Sequence, residues 1–175
     1  MANSYKKLLH QIDTFIFDVD GVLTDGGIHI TPDGDLTRTM SVKDGFALKS
    51  ALTAGFKVCV ITGGTNLGVK IRLENLGITD IHLGAHNKIE VFDKFLGSND
   101  TNPDRVVYMG DDIPDLPVML KVGLPCCPQD ACAEIKSISK YVSHKRGGHG
   151  AVRDIIEQVL KVQGKWMVDF ETQNN

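Results

Sequence analysis

Four short apolar runs punctuate the first two thirds of the chain: Phe15-Ile16-Phe17, Val58-Cys59-Val60-Ile61, Ile81-His82-Leu83 and Val106-Val107-Tyr108-Met109. Each is too short and too uniformly apolar for an amphipathic helix, so each predicts a buried strand. Between them, Phe46 through Leu52, Val69 through Leu76 and Ile89 through Leu96 carry apolar residues at helical spacing, and a last helix is predicted from Ala151 to Val162. Strand and helix alternate, which predicts an α/β fold with a parallel sheet covered by helices on both faces.

One segment departs from the alternation. Ile28-His29-Ile30 and Leu36 through Met40 flank Thr31-Pro32-Asp33-Gly34-Asp35, where Pro fixes one dihedral and Gly permits a positive one, so a small β-hairpin insertion is predicted after the first strand. It is too short to be a separate domain, and its use is to flank a site or to pair with another subunit. Past Gly164 a tail runs through Trp166, Met167 and Phe170 to Asn175, to be read either as a docked segment or as a frayed end. The 175 residues, 42% of them hydrophobic, contain no repeat, low-complexity stretch or linker, and 1–175 is expected to be a single domain.

Three of the predicted strands end in a small or acidic cluster: Asp18-Val19-Asp20-Gly21, Thr62-Gly63-Gly64 and Gly110-Asp111-Asp112. In open, Rossmann-like parallel sheets the ligand crevice lies beyond the carboxyl ends of the strands, so one site can collect all three. A formal net charge of -3 and the absence of a basic run make nucleic acid and membrane surfaces poor partners. The amino terminus, Met1-Ala2-Asn3-Ser4-Tyr5-Lys6-Lys7, has no apolar signal core, and a cytoplasmic location is expected. Cys59, Cys126, Cys127 and Cys132 form no CxxC pair and read as reduced thiols.

Asp18 and Asp20 are two carboxylates two residues apart at a strand end, followed by Gly21 and Thr24-Asp25-Gly26-Gly27. A carboxylate near a metal can attack phosphorus and form an aspartyl-phosphate, and its neighbour can protonate the leaving alkoxide and then deprotonate water. Several carboxylates would repel a phosphate dianion. Asp111 and Asp112, with Asp115 nearby, supply the hard oxygen ligands Mg²⁺ prefers, and a magnesium ion bridging Asp18, Asp111 and a phosphate oxygen resolves the conflict. Thr62 offers a hydroxyl, and Lys88, opening a helix, a fixed positive charge. Taken singly, such a Thr is more often a cap and such a Lys more often solvated. His82 and His86 stand four apart but across a strand end and Gly84, and a zinc site is not expected there; His149 lies among glycines.

The set DxDG at Asp18 to Gly21, Thr62, Lys88 and Gly110-Asp111-Asp112-x-x-Asp115, in this order, resembles the haloacid dehalogenase (HAD) superfamily of phosphatases. The resemblance implies Asp18 as nucleophile and Asp20 as acid/base. It implies magnesium held by the Asp18 and Asp111 side chains and the Asp20 backbone carbonyl, with Thr62 and Lys88 on the phosphoryl group and Asp112 and Asp115 in support. Neither the gap after the first motif nor that from Thr62 to Lys88 has room for a cap domain, so none is expected and selectivity must come from elsewhere, such as a neighbouring subunit.

Further stretches, Lys43-Asp44-Gly45, Arg72 before Leu76-Gly77-Ile78, and Lys145-Arg146-Gly147-Gly148-His149-Gly150, are similar to tetrameric members of the superfamily that dephosphorylate eight-carbon sugar acids of lipopolysaccharide synthesis. That similarity implies a homotetramer with hairpins forming a central barrel and substrate bound across a subunit boundary. Arg72 would meet the sugar-acid carboxylate; Ser41, Val42, Lys43, Asp44, Gly45 and Lys49 are further candidates, with the 146–148 loop and the tail closing over the opening. Gly64 stands where many such relatives carry Arg and where those acting on a nine-carbon acid carry Glu, which favours the eight-carbon substrate. The alternatives are the nine-carbon phosphatase and a non-catalytic regulatory module of a sugar-nucleotide synthetase; the retained Asp18 and Asp20 argue against the latter.

Overall fold

The computed structural model describes residues 4–167, so the readings placed on Met1-Ala2-Asn3 and on the tail beyond Met167, Phe170 included, lie outside the described residues. In chain order the elements are β1 (Thr14–Phe17), β2 (His29–Ile30), β3 (Leu36–Thr37), α1 (Val42–Thr53), β4 (Lys57–Ile61), α2 (Leu67–Asn75), β5 (Asp80–His82) and α3 (Lys88–Ser98). They continue with β6 (Val106–Met109), α4 (Leu116–Met119), β7 (Leu124–Cys127), α5 (Ala133–Ile138), β8 (Tyr141–Val142) and α6 (Ala151–Val162). Six strands form one sheet in the order β5-β4-β1-β6-β7-β8, every neighbouring pair parallel.

The strands read as apolar runs because both faces are covered. Phe15, Phe17, Val58, Val60, Val107 and Met109 point into one core with α1, α2 and α6, while Ile16, Cys59, Ile61, Val106 and Tyr108 point into the other with α3, α4 and α5. The period-two alternation therefore survives as a choice between two cores. α6 follows helical periodicity, burying Ala151, Val152, Ile155, Ile156, Val159 and Leu160, with Arg153, Asp154, Glu157 and Gln158 half-buried and Lys161 and Val162 exposed. Just past α6, Trp166 meets Phe46 of α1 edge-on at 6.0 Å, and the Arg153 guanidinium lies 5.6 Å and 5.5 Å from the two ring centres. The tail is docked at least as far as that ring.

The hairpin forms as expected, with Ile30 opposite Leu36 and His29 opposite Thr37. Gly34, at φ +86°, closes the turn by donating its amide to the Thr31 carbonyl at 2.9 Å. Its apolar residues do not enter either core: Ile28, Ile30 and Leu36 are 46%, 70% and 41% exposed. Only the hairpin lies between β1 and α1, and only α2 and β5 between Thr62 and Lys88, so the described residues hold no cap. The two strands the apolar pattern missed are β7 and β8. β7 carries Pro125, which cannot donate to a ladder and argues against an interior strand, while β8 is two residues long. The four cysteines are unpaired, three of them buried. Among the described residues no helix is long and apolar enough to cross a membrane.

Candidate active site

The order of the sheet switches direction at β1, whose neighbours are β4 and β6. The chain segments leaving these three strands therefore meet at their carboxyl ends. Asp18 follows β1 directly and is 6% exposed. Its Oδ1 accepts the Val19 amide at 2.7 Å, and its Oδ2 lies 2.9 Å from Lys88 Nζ. Lys88, the first residue of α3, turns its ammonium inward and also donates to Asp115 Oδ1 at 2.7 Å. Tyr108, in β6, donates its hydroxyl to the same oxygen at 2.7 Å, and Asp115 Oδ2 accepts the Asp111 amide at 3.1 Å. Asp115 is thus a bracket: its acceptors are taken up in fixing Lys88 and the turn that carries Asp111.

Carboxylate oxygens of Asp18, Asp111 and Asp115 lie within 4.8 Å of one another, against the single ammonium of Lys88. Burial and the neighbouring Asp115 charge push the Asp18 carboxyl up to about 6, with Lys88 opposing. Burial together with Asp18 and Asp115 pushes Asp111 up to about 7. For Lys88, burial works against the charged form, but the two carboxylates outweigh it and its ammonium is held more strongly than usual. Among the described residues the Asp111 carboxylate accepts no hydrogen bond, and it presses against Gly21, whose φ of +83° and missing Cβ permit that approach. An excess of hard oxygen donors over cations, two of them not committed to a bracket, fits a divalent ion of the magnesium kind.

A pH dependence follows. In the folded, metal-free protein Asp111 holds its proton up to about pH 7, against 3.8 for the ordinary carboxyl, so the folded state binds more protons in that interval. Stability must then fall as pH rises from about 4 to 7 through this group. Melting curves in chelator are expected to show that fall in the parent and a weaker one in Asp111→Asn, with magnesium flattening the parent's curve by competing with protons.

Asp20 is not in this cluster. Its carboxylate, a third exposed, is gripped by Arg38 from the residues just after β3, with Nε 2.5 Å from Oδ1 and Nη2 3.2 Å from Oδ2. Thr62, buried at the end of β4, accepts the Gly64 amide at 3.1 Å on Oγ1. A Cβ placed on Gly64 would lie 3.3 Å from Asp20 Oδ2, 3.5 Å from Thr62 Oγ1 and 3.6 Å from Arg38 Nη2. Asp18, Asp20, Thr62, Gly64, Lys88 and Asp111 are therefore brought to one end of the sheet. Arg38 and Tyr108 join them without a motif to announce them. For Tyr108 a signal existed: a phenol in a buried strand must find a partner.

Most of the remaining predicted residues are bonded elsewhere or exposed. Ser41 caps α1, accepting the amides of Lys43 and Asp44 at 3.2 Å and 3.4 Å. Val42 is 76% exposed, Lys43 and Lys49 are exposed, and the Arg72 guanidinium passes so close to Gly45 that a Cβ there would be 2.7 Å from Nη2. Among the described residues no hydrogen bond or ion pair joins this group to Asp18, Asp20, Thr62 or Lys88. Asp44 has a structural role that its motif did not announce. It is 1% exposed and accepts the amides of Gly150 and Arg153 at 3.3 Å and 2.8 Å, capping α6, whose own N-cap is a glycine. Asp44→Ala is accordingly expected to cost about 1–2 kcal/mol of stability in denaturant melts. The 146–148 loop is already seated: Gly148 donates to the Val22 carbonyl at 2.9 Å and Gly147 to Asp130 Oδ1 at 3.0 Å, so it buttresses the Asp18 loop. Asp112 is exposed, and His82 and His86 belong to no metal-ligand group among the described residues.

No family model matches the chain. It is 40% identical over 154 residues, 88% of its own length and 82% of the relative's, to the 3-deoxy-D-manno-octulosonate 8-phosphate phosphatase KdsC of Salmonella typhi. Among solved structures it superposes on the 3-deoxy-D-manno-octulosonate 8-phosphate phosphatase of Yersinia pestis with TM-score 0.92 at 32% identity, covering 96% of this chain and 91% of that one. It matches the same phosphatase of Moraxella catarrhalis, solved with a magnesium ion, a phosphate ion and a KDO molecule, with TM-score 0.92 at 30% identity over 98% and 99% of the two chains.

Proposed function

The chain belongs to the 3-deoxy-D-manno-octulosonate 8-phosphate phosphatase family of the haloacid dehalogenase superfamily, and on that premise we propose that it is a magnesium-dependent phosphomonoesterase releasing phosphate from that eight-carbon sugar acid by way of Asp18. The observation that carries the reading is the buried Asp18 carboxylate, set between the Lys88 ammonium and Asp111 at the mouth of the sheet. Asp18 and Asp111, with the Asp20 carbonyl, would hold the metal, which when bound neutralises charge and polarises a phosphoryl oxygen.

In the first step a carboxylate oxygen of Asp18 forms a bond to phosphorus as the bond from phosphorus to the sugar oxygen breaks, and Asp20 gives its proton to the departing alkoxide. Lys88 and Thr62 bind the phosphoryl oxygens as charge shifts between them. In the second, water attacks phosphorus, Asp20 takes its proton, and phosphate leaves Asp18 free. Asp20 suits both roles because, unlike Asp18, it is a third exposed and reaches the open side of the loop.

The reading takes the whole chain as one catalytic domain and the enzyme as a homotetramer. Ile28, Ile30 and Leu36 on the hairpin form an apolar patch that no part of the described chain covers, which supports pairing with other copies. Among the described residues Ser41 to Gly45, Lys49 and Arg72 share no hydrogen bond or ion pair with Asp18, and in this reading they meet the substrate across a subunit boundary, Arg72 pairing with its carboxylate. The test is kcat/KM with Mg²⁺ for the eight-carbon phosphate, the nine-carbon 2-keto-3-deoxynononate 9-phosphate and hexose phosphates, side by side, with light scattering for the assembly. The eight-carbon substrate is expected to win; victory of the nine-carbon one overturns the substrate, and a monomer overturns the shared site.

A further inference from the structure

Arg38 makes three hydrogen bonds, and together they close a ring. Nε and Nη2 grip the two oxygens of Asp20, while Nη1 donates to the Leu36 carbonyl at 3.2 Å. That carbonyl also accepts from Asn66 Nδ2 at 2.6 Å, and Asn66 Oδ1 caps α2 by accepting the Val69 amide at 3.0 Å. The ring thus runs from Asp20 through Arg38 and the foot of the hairpin to Asn66, and returns along the 62–66 loop to Gly64, beside Asp20. The Arg38 side chain is 7% exposed, against 33% for Asp20. Such a pair is not the solvated surface kind that contributes little. Three of its five N–H donors are engaged, one on each nitrogen, and its side chain is largely covered, so Arg38 is held as a support, while Asp20 is the more open of the two.

We propose that Arg38 is a positioning residue for the phosphatase reaction: from the hairpin, it fixes the Asp20 carboxylate beside the Thr62–Gly64 loop. The absence of a side chain at Gly64 leaves room for this arrangement, since a Cβ there would already lie 3.3 Å from Asp20 Oδ2 and 3.6 Å from Arg38 Nη2. The cation that a side chain at position 64 does not supply comes instead from the hairpin, and the placement of the hairpin foot is transmitted to the proton-transferring group. The inference rests on the reading of Asp20 as the group that moves the proton.

The experiment uses the full-length, magnesium-loaded enzyme and whichever sugar-acid phosphate it turns over fastest. Arg38→Ala is expected to lower kcat about 10- to 100-fold with KM within about threefold of the parent. Arg38→Lys recovers only part, because an ammonium cannot grip both oxygens. In an Asp20→Asn background the same alanine change is expected to cost less than about threefold, since the group it positions is gone. Arg38→Gln keeps a donor for the Leu36 carbonyl and carries the same expectation if the alanine variant does not fold. A rise in KM with kcat intact, an equal loss in both backgrounds, or no loss at all each overturns the proposal. A parent enzyme without phosphatase activity would sink the function itself, a separate failure.

Discussion

Asp18→Asn is expected to abolish phosphate release, by about 10⁴-fold or more in kcat, while the protein stays folded. An amide has no lone pair of comparable nucleophilicity to offer phosphorus, and no other carboxylate among the described residues can take over. Asp115 is tied to Lys88, Tyr108 and the Asp111 amide, Asp20 is held by Arg38, and Asp111 would be holding the metal. The fold should tolerate the change because the carboxylate is itself a stress. Its charge is buried beside two others, and burial with the Asp115 charge holds its carboxyl at about 6. Removing that charge gives up the contact with Lys88 but relieves the repulsion, so in chelator the melting temperature should lie within about 3 °C of the parent. Stopped phosphate assays and calorimetry on the same preparation check both halves. Activity near that of the parent would exclude the covalent route through this residue.

Why Asp18 was legible in the sequence while its surroundings were not is a matter of range. The strand is local, because three apolar residues must be buried together, and the motif follows it without a gap. Thr62 and Asp111 were legible for the same reason, each closing a strand whose parallel pairing with or beside β1 brings its end to the same edge. Arg38 could not be read this way. It lies 18 residues from its partner, and which way the hairpin leans is decided by the Asn66 and Leu36 contacts, not by its turn residues. The capping role of Asp44 was hidden for a related reason: the amides that claim its carboxylate belong to a helix more than a hundred positions later. The contacts of Gly147 and Gly148 with Asp130 and Val22 were out of reach for the same reason, their partners lying far off in the chain. Pro125 concealed β7 because a missing amide donor is a rule about single residues, and the two cores on either side of the sheet override it.

Lys88→Met should damage both stability and turnover. Methionine keeps the unbranched stem but leaves Asp18 and Asp115 facing each other without a cation in a site where the lysine side chain is 5% exposed and theirs are 9% and 1%. Breaking a buried pair by removing one partner costs about 3–5 kcal/mol, which for a chain of this size corresponds to a fall in melting temperature on the order of 10 °C. Turnover should fall about 10²- to 10³-fold, the usual loss when one fixed donor to a charge-shifting oxygen is removed. With the cation gone the Asp18 carboxyl, which Lys88 now holds down, is pushed further up, so the folded state holds its proton to higher pH, and the deficit relative to the parent must shrink as the pH is lowered. Adding Asp115→Asn should restore part of the stability, because one of the facing charges disappears while the amide can still accept from the Asp111 backbone and donate to the Tyr108 oxygen. It should restore none of the activity, since the phosphoryl group still lacks its ammonium. Melting curves of the two variants at pH 5 and pH 8 decide the matter. If Lys88→Met melts with the parent at both, the triad of Asp18, Lys88 and Asp115 contributes nothing net to folding, and the lysine is retained for the phosphoryl group alone.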